Sequence, residues 1–221
     1  METWRQEWAN VKREIALRLS NGECGGAYGE AVIILCAAIS ALSADVWPGR
    51  GIDRVRFVEA LIRFTPAEFN VSRISIPLLI SKLRQVGETQ KSEKLKKEFL
   101  DMNLSLVVIG DEVDRDEAEV LRICSNLSLK EIREQSYANI LYGEIRSGYA
   151  HEYRPGERAD SSPMTSVDTS ISYINWAHKR DRNIHFHIKW LSQIASSIAV
   201  AVDTQDEHLP YQNPAKWWVH G

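Results

Sequence analysis

Apolar positions recur at helical spacing along most of the chain, and glycine- and proline-rich breaks divide them into a succession of helices with one interruption. Trp4, Trp8, Val11, Ile15 and Leu19 share one face of a first amphipathic helix, which predicts that this face packs inward. Tyr28 to Val46 is apolar almost all round and rich in Ala and Ile, the pattern of a helix at the centre of a bundle. Trp47-Pro48-Gly49 stops it, and Asp53 offers a start to a helix with Val55, Val58, Leu61 and Ile62 inward. Pro77 suits the first turn of the next helix, which carries Leu78, Leu79, Ile80 and Leu83, and the lysine-rich stretch 91–97 predicts an exposed, charged one.

The apolar run 104–109 reads equally as a strand or as a buried segment. The acids that follow, Asp111, Glu112, Asp114, Asp116, Glu117 and Glu119, lack the spacing, central glycine and distal glutamate of a calcium loop. They run straight into Ala118, Val120, Leu121 and Ile123, so they predict a helix start favoured by the helix dipole. Ser128 and Glu131 have capping-box spacing and open a helix with Ile132, Tyr137, Ile140, Leu141 and Ile145 as its buried stripe.

Helical periodicity gives way to alternation in 170–176 and 183–188, which predicts a β-hairpin before a last helix over 189–202. On its strands His185 and His187 read as an exposed face. The stretch 154–168 is rich in Gly, Pro, Ser, Asp and Arg and reads as a mobile flap. Trp217-Trp218, in a polar tail, predict docking onto the same chain or a neighbouring subunit. The expected fold is an all-α, up-and-down helical bundle with a small β-hairpin insertion before the last helix. It is a single domain over 1–203, with loop 154–169 and hairpin 170–188, followed by a C-terminal tail, 204–221.

Composition changes this picture little. The chain has 221 residues, 44% of them hydrophobic and 26% charged, which suits a globular domain and excludes fibrous and disordered classes. A formal net charge of -3 lacks the basic excess of a non-specific nucleic-acid binder, so any RNA contact has to be local or shared between subunits. Arg50, Arg54, Arg56 and Arg63 form the most basic short region and read as a solvated face. Cys24, Cys36 and Cys124 are widely separated, form no metal or redox motif, and with no secretory leader apparent suggest a reducing cytoplasm. The apolar run 31–44 falls short of the roughly 20 residues that span a bilayer, so no membrane is expected.

Polar chemistry concentrates in 141–153, L-Y-G-E-I-R-S-G-Y-A-H-E-Y, which ends where Pro155 and Gly156 must stop a helix. Arg146 and His151 stand as R-x4-H, with Tyr153 two residues further on. Arg180 with His185 and Arg182 with His187 share the R-x4-H spacing, but only the first pair adds the tyrosine. A guanidinium presents a charged planar fork to phosphate oxygens, and an imidazole exchanges protons near neutral pH. Together they suit phosphodiester chemistry without a metal. On a regular helix the two lie about 140° apart, so they converge only if the helix opens near Gly148 or if a second copy contributes one of them.

The stretch resembles the signature of the HEPN superfamily, helical domains whose R-x4-6-H motif marks metal-independent endoribonucleases. The resemblance implies a four- or five-helix bundle that acts as a homodimer, with two motifs facing across a shared cleft, RNA as substrate and no cofactor. It implies that Arg146 and His151 are catalytic, with Ser147, Tyr149, Glu152 and Tyr153 supporting them. Tyr153 matches the position that a nucleotidyltransferase antitoxin modifies in the R-x4-H-x-Y form. Ser147 stands where active nucleases often have Asn, Asp or His. The alternative is an inert nucleotide- or protein-binding module of the same kind.

Overall fold

The computed structural model describes residues 3–99, 106–161, 171–175, 181–204 and 217–220. Its fold is a helical bundle with a small antiparallel sheet. Helix α2 (Tyr28–Val46) is central and packs against α1 (Trp4–Ser20), α3 (Asp53–Phe64), the last helix, α11 (Ile188–Thr204), and the helix that carries the R-x4-H motif. Ala31, Ala38 and Ala195 keep these neighbours close, and Leu35, Ile39, Phe57, Leu61, Leu191 and Ile198 fill the space between them. At 19 residues α2 is long and apolar enough to cross a membrane by length and composition, and here four helices surround it.

Helix α1 meets the sequence expectation only in part: Trp8 and Leu19 pack against the core, but the centre of its buried face lies elsewhere. Its buried residues are Ala9 and Ala16, whereas Trp4 is 63%, Val11 48% and Ile15 38% exposed. Small residues let α1 approach α2 and α11 closely, and Arg5 on the same side bridges Asp45 of α2 and Asp203 of α11, both at 3.2 Å. Bulk alone therefore locates the flanks of the buried face and misses its centre. Of the basic residues on α3, Arg54 donates to Asn139 at 3.1 Å, Arg56 pairs with Asp53, and Arg63 pairs with Glu59 at 2.5 Å.

A smaller lobe is inserted between α3 and the motif helix. Helices α4 (Ile76–Gln85), α5 (Thr89–Phe99), α7 (Glu117–Ile123) and α8 (Leu129–Arg133) close over their own cluster of Ile76, Leu79, Ile80, Leu83, Leu95, Val120 and Ile132. Ser128 forms a capping box with Glu131, as the spacing predicts, and Asp116 forms a second one with Glu119 at the helix start expected from the acids. The helix from Ser128 does not run on to the motif: it stops at Arg133, and Ser136 caps a new one.

Strand β1 (Val107–Ile109) pairs with β2 (Ile171–Ile174), which pairs with β3 (Asn183–Phe186), all antiparallel, so the expected hairpin carries a third strand. Both faces of β2 and β3 are buried. His185 is accordingly 2% exposed, against the expectation, and its Nδ1 donates to the Asp160 carbonyl at 3.1 Å. His187 Nε2 lies 3.1 Å from Ser172 Oγ. Burial holds the His185 imidazole below its ordinary pKa.

One carboxyl joins lobe, sheet and bundle. Asp114, between the short helix α6 (Gly110–Val113) and α7, is fully buried. It accepts from Tyr137 Oη at 2.5 Å, Tyr173 Oη at 2.6 Å and the Ile76 amide at 2.9 Å. Burial pushes it up to about 7 against the pull of those three donors. Gly110 is obligatory beside it, because a Cβ there would sit 2.5 Å from Tyr137 Oη. The tail closes the remaining gap on the same chain. Trp217 is buried against Trp47, Glu59 accepts from the Trp218 amide at 2.9 Å, and Arg133 donates to the Trp218 carbonyl at 2.7 Å.

Candidate functional site

The motif helix is one helix in three parts. Helix α9 (Tyr137–Ile140) starts on the Ser136 cap, Leu141–Arg146 widens into a π-helical segment, and α10 (Ser147–Glu152) returns to regular α geometry. Ile140, Leu141, Ile145 and Tyr149 anchor it in the core. It ends at Tyr153, whose backbone is left-handed at φ 55°, a conformation that costs a non-glycine residue roughly 1–2 kcal/mol. Tyr153 Oη donates to Glu30 on the first turn of α2, which holds that carboxylate below its usual range.

Past Tyr153 the chain doubles back across Gly148, where a Cβ would meet the Arg154 carbonyl at 2.6 Å and the Gly156 amide at 2.9 Å. The Gly156 amide donates to the Glu144 carbonyl at 2.7 Å, and Arg158 pairs with the Glu144 carboxylate at 2.7 Å. Asp160 and Arg158 then bond the backbone of Ile184 on β3. Residues 154–161 are thus a strap fixed at both ends, contrary to the flap expected from their composition. The rest of that loop, 162–169, lies outside the described residues.

Because α10 is regular, the helix does not open at Gly148, and Arg146 and His151 stay about 140° apart. Arg146, Tyr149, Ala150 and Tyr153 share the face turned to α2, as their i, i+3, i+4, i+7 spacing requires. His151 and Glu152 point to solvent, with Glu152 paired to Arg154 at 2.7 Å. Ser147 is half-buried on the helix between them. Tyr149 is buried, bonded to Ser161 and packed 6.3 Å from the Tyr28 ring, and burial raises its phenol above the ordinary value. Of the six residues singled out from sequence, Arg146, Tyr149 and Tyr153 come to one side, and His151 and Glu152 to another.

Arg146 rims a pocket of about 230 Å³ between α2 and α10, lined by Val32, Ile33, Cys36, Ala37, Ser40, Tyr149 and Ala150. Its guanidinium lies 5.2 Å over the Tyr142 ring and makes no ion pair among the described residues. The nearby acids are engaged elsewhere: Glu30 by Tyr153 and the Ala27 amide, Glu144 by Arg158, and Glu152 by Arg154. Cys36 stays a neutral thiol, pushed up to about 12 by burial even though Arg146 pulls the other way. The α2 side of this pocket was not legible from the motif. Small residues occur all along α2, so Ala37 and Ser40 do not stand out in the sequence. No His, Cys, Asp and Glu cluster of metal-binding composition occurs among the described residues. Set against known proteins, the chain matches no family model, no curated protein and no solved structure.

Proposed function

We propose that this chain is a HEPN-like, metal-independent endoribonuclease, cytoplasmic and working in a toxin–antitoxin or phage-defence setting. The ribose 2′-oxygen attacks the adjacent phosphorus and the 5′-oxygen leaves, giving a 2′,3′-cyclic phosphate and a 5′-hydroxyl. Arg146 offers its fork to the two equatorial oxygens as negative charge builds, and His151 moves a proton at the 2′- or 5′-oxygen. The observation that carries this reading is a cation without a carboxylate partner on the same helix as a solvent-exposed histidine. Their separation around α10 means that one phosphate reaches both only if Arg146 comes from one copy and His151 from another, so the active form is a homodimer. Tyr153, 62% exposed, is open to modification by a nucleotidyltransferase antitoxin.

The same separation favours a second reading, a binding module that holds an anion at Arg146 and cuts nothing; Ser147 after the arginine points the same way. Cleavage of total cellular RNA by purified protein in excess EDTA separates the two. Wild type and His220→Ala, an exposed histidine far along the chain, cut and leave cyclic-phosphate ends, while Arg146→Ala and His151→Ala do not. Mixing those two inactive variants restores cutting if the site is shared between copies. Dimeric, folded wild type that leaves RNA intact establishes the binding module instead. For Tyr153→Phe the expected outcome is retained toxicity in cells that a neighbouring nucleotidyltransferase no longer neutralises.

A further inference from the structure

The pocket beside Arg146 is built for more than an anion. A lone phosphate needs only the guanidinium, yet the pocket is also lined by Val32, Ile33, Cys36 and Ala37 of α2 and Ala150 of α10. Its walls are mostly apolar, its lining comes from two helices fixed in the core, and at about 230 Å³ it is smaller than the pockets that take drug-sized ligands. That suits one flat ring system. Ser40, half-buried on the wall one turn beyond Cys36, carries a hydroxyl with no hydrogen bond among the described residues, so one directional donor and acceptor faces an otherwise oily slot.

We propose that this slot takes a single unstacked nucleobase of the RNA strand, next to the phosphate held by Arg146, and so sets which base lies beside the cut. Sequence-selective recognition of single-stranded RNA works in this way, by splaying a base out of the stack and reading its edge with a few polar groups. Apolar walls supply the contact that the lost stacking had given, and Ser40 supplies the directional contact. Cys36, kept neutral, adds surface without charge. The inference rests on the RNA reading above, but the pocket's own behaviour can be tested without turnover.

The probe is a set of 2′-deoxy dinucleoside monophosphates, which carry two bases and one phosphate and cannot be cut by 2′-oxygen attack. Their binding is measured by titration calorimetry on wild type, on Ala37→Phe, which fills the slot from an exposed position, and on Ser40→Ala. Circular dichroism melts verify that each variant folds. In parallel, the ends of RNA cut by each protein are mapped. The expected results are binding that differs at least fivefold among the bases, a loss of at least tenfold in Ala37→Phe, and weaker discrimination among the bases in Ser40→Ala at both binding and cutting. RNA cutting with binding and cut-site preference unchanged in folded Ala37→Phe would overturn the base slot and leave the nuclease standing. Base-selective binding that Ala37→Phe abolishes, without cutting by wild type, would do the reverse. Absence of both binding and cutting in the wild-type dimer overturns both.

Discussion

Two polar side chains sit against this bundle on opposite terms. Asp114 is fully enclosed, and both of its oxygens are used, by two phenols and one backbone amide drawn from three separate parts of the chain. Arg146 is only half-buried, rests its flat face on Tyr142, and faces a pocket with its donors unspent among the described residues. A buried polar group with every partner in place holds a fold together. A charged one beside a cavity, with its neighbouring acids all engaged elsewhere, is set up to receive something from outside. In sequence the acidic run around Asp114 reads only as a helix start, and the buried junction that Asp114 makes of lobe, sheet and bundle appears only in the structure.

The hardest test of the contrast is Asp114→Ala, which strands the Tyr137 phenol and the Ile76 amide in the interior and leaves Tyr173 only Ser75 Oγ, 2.7 Å away. It should cost about 3–5 kcal/mol, read as a drop in the urea midpoint. A loss no larger than that of a surface substitution would dissolve the distinction.

The pH dependence of stability follows from the same carboxyl. Between about pH 4 and pH 7 the folded state keeps a proton that the unfolded chain has shed, so stability falls as pH rises through that window, on the order of 4 kcal/mol in all. His185 acts oppositely. Its pKa is depressed in the fold, so its stabilisation is complete above about pH 6.5 and is lost as pH drops below that value. Urea titrations across pH should show the Asp114 slope vanish in Asp114→Asn while the acid-side loss from His185 persists.

Gly148→Ala comes next. Its Cβ would press on the Arg154 carbonyl and the Gly156 amide, so we expect a loss of about 1–3 kcal/mol and loosening of the strap, seen as faster amide exchange at Gly156. Arg146→Gln should have the smallest effect on stability, within about 0.5 kcal/mol, because no ion pair is lost. Its signature is loss of RNA cutting and of dinucleotide binding with an unchanged melt. A large drop in stability would mean that Arg146 belongs with Asp114 after all.

Much of the fold was readable because local chemistry and tertiary packing agree. The all-apolar α2, the capping boxes at Asp116 and Ser128, and the alternation around β2 and β3 each state one answer, and the protein adopts it. The failures share a cause: the pattern was read on the assumption that bulk goes inside and polar groups go outside. Ala9 and Ala16 bury α1 because close approach favours small side chains there, and His185 and His187 are inside because strap and sheet offer them partners. Asp114 carried a faint signal. It lies two residues ahead of the N-cap Asp116, outside the first turn where the dipole would explain an acid. At the candidate site, the helix end and the i, i+3, i+4 companions of Arg146 were legible. The partition of Arg146 from His151, and the α2 wall, depend on which helix lies alongside, and one segment's sequence does not state that.

The π-helical stretch from Leu141 to Arg146 bears on how this helix is to be aligned with any other. A π turn takes in one more residue than an α turn and still hands the chain on in nearly the same direction. Counting along the sequence therefore runs one position ahead of counting along the axis once Arg146 is reached. A comparison with an uninterrupted helix has to open a one-residue gap between Leu141 and Arg146. Gly143, exposed and with nothing beyond its chain neighbours and its own helix backbone within 4 Å of where a Cβ would stand, is the residue that such a gap can skip at least cost to the packing.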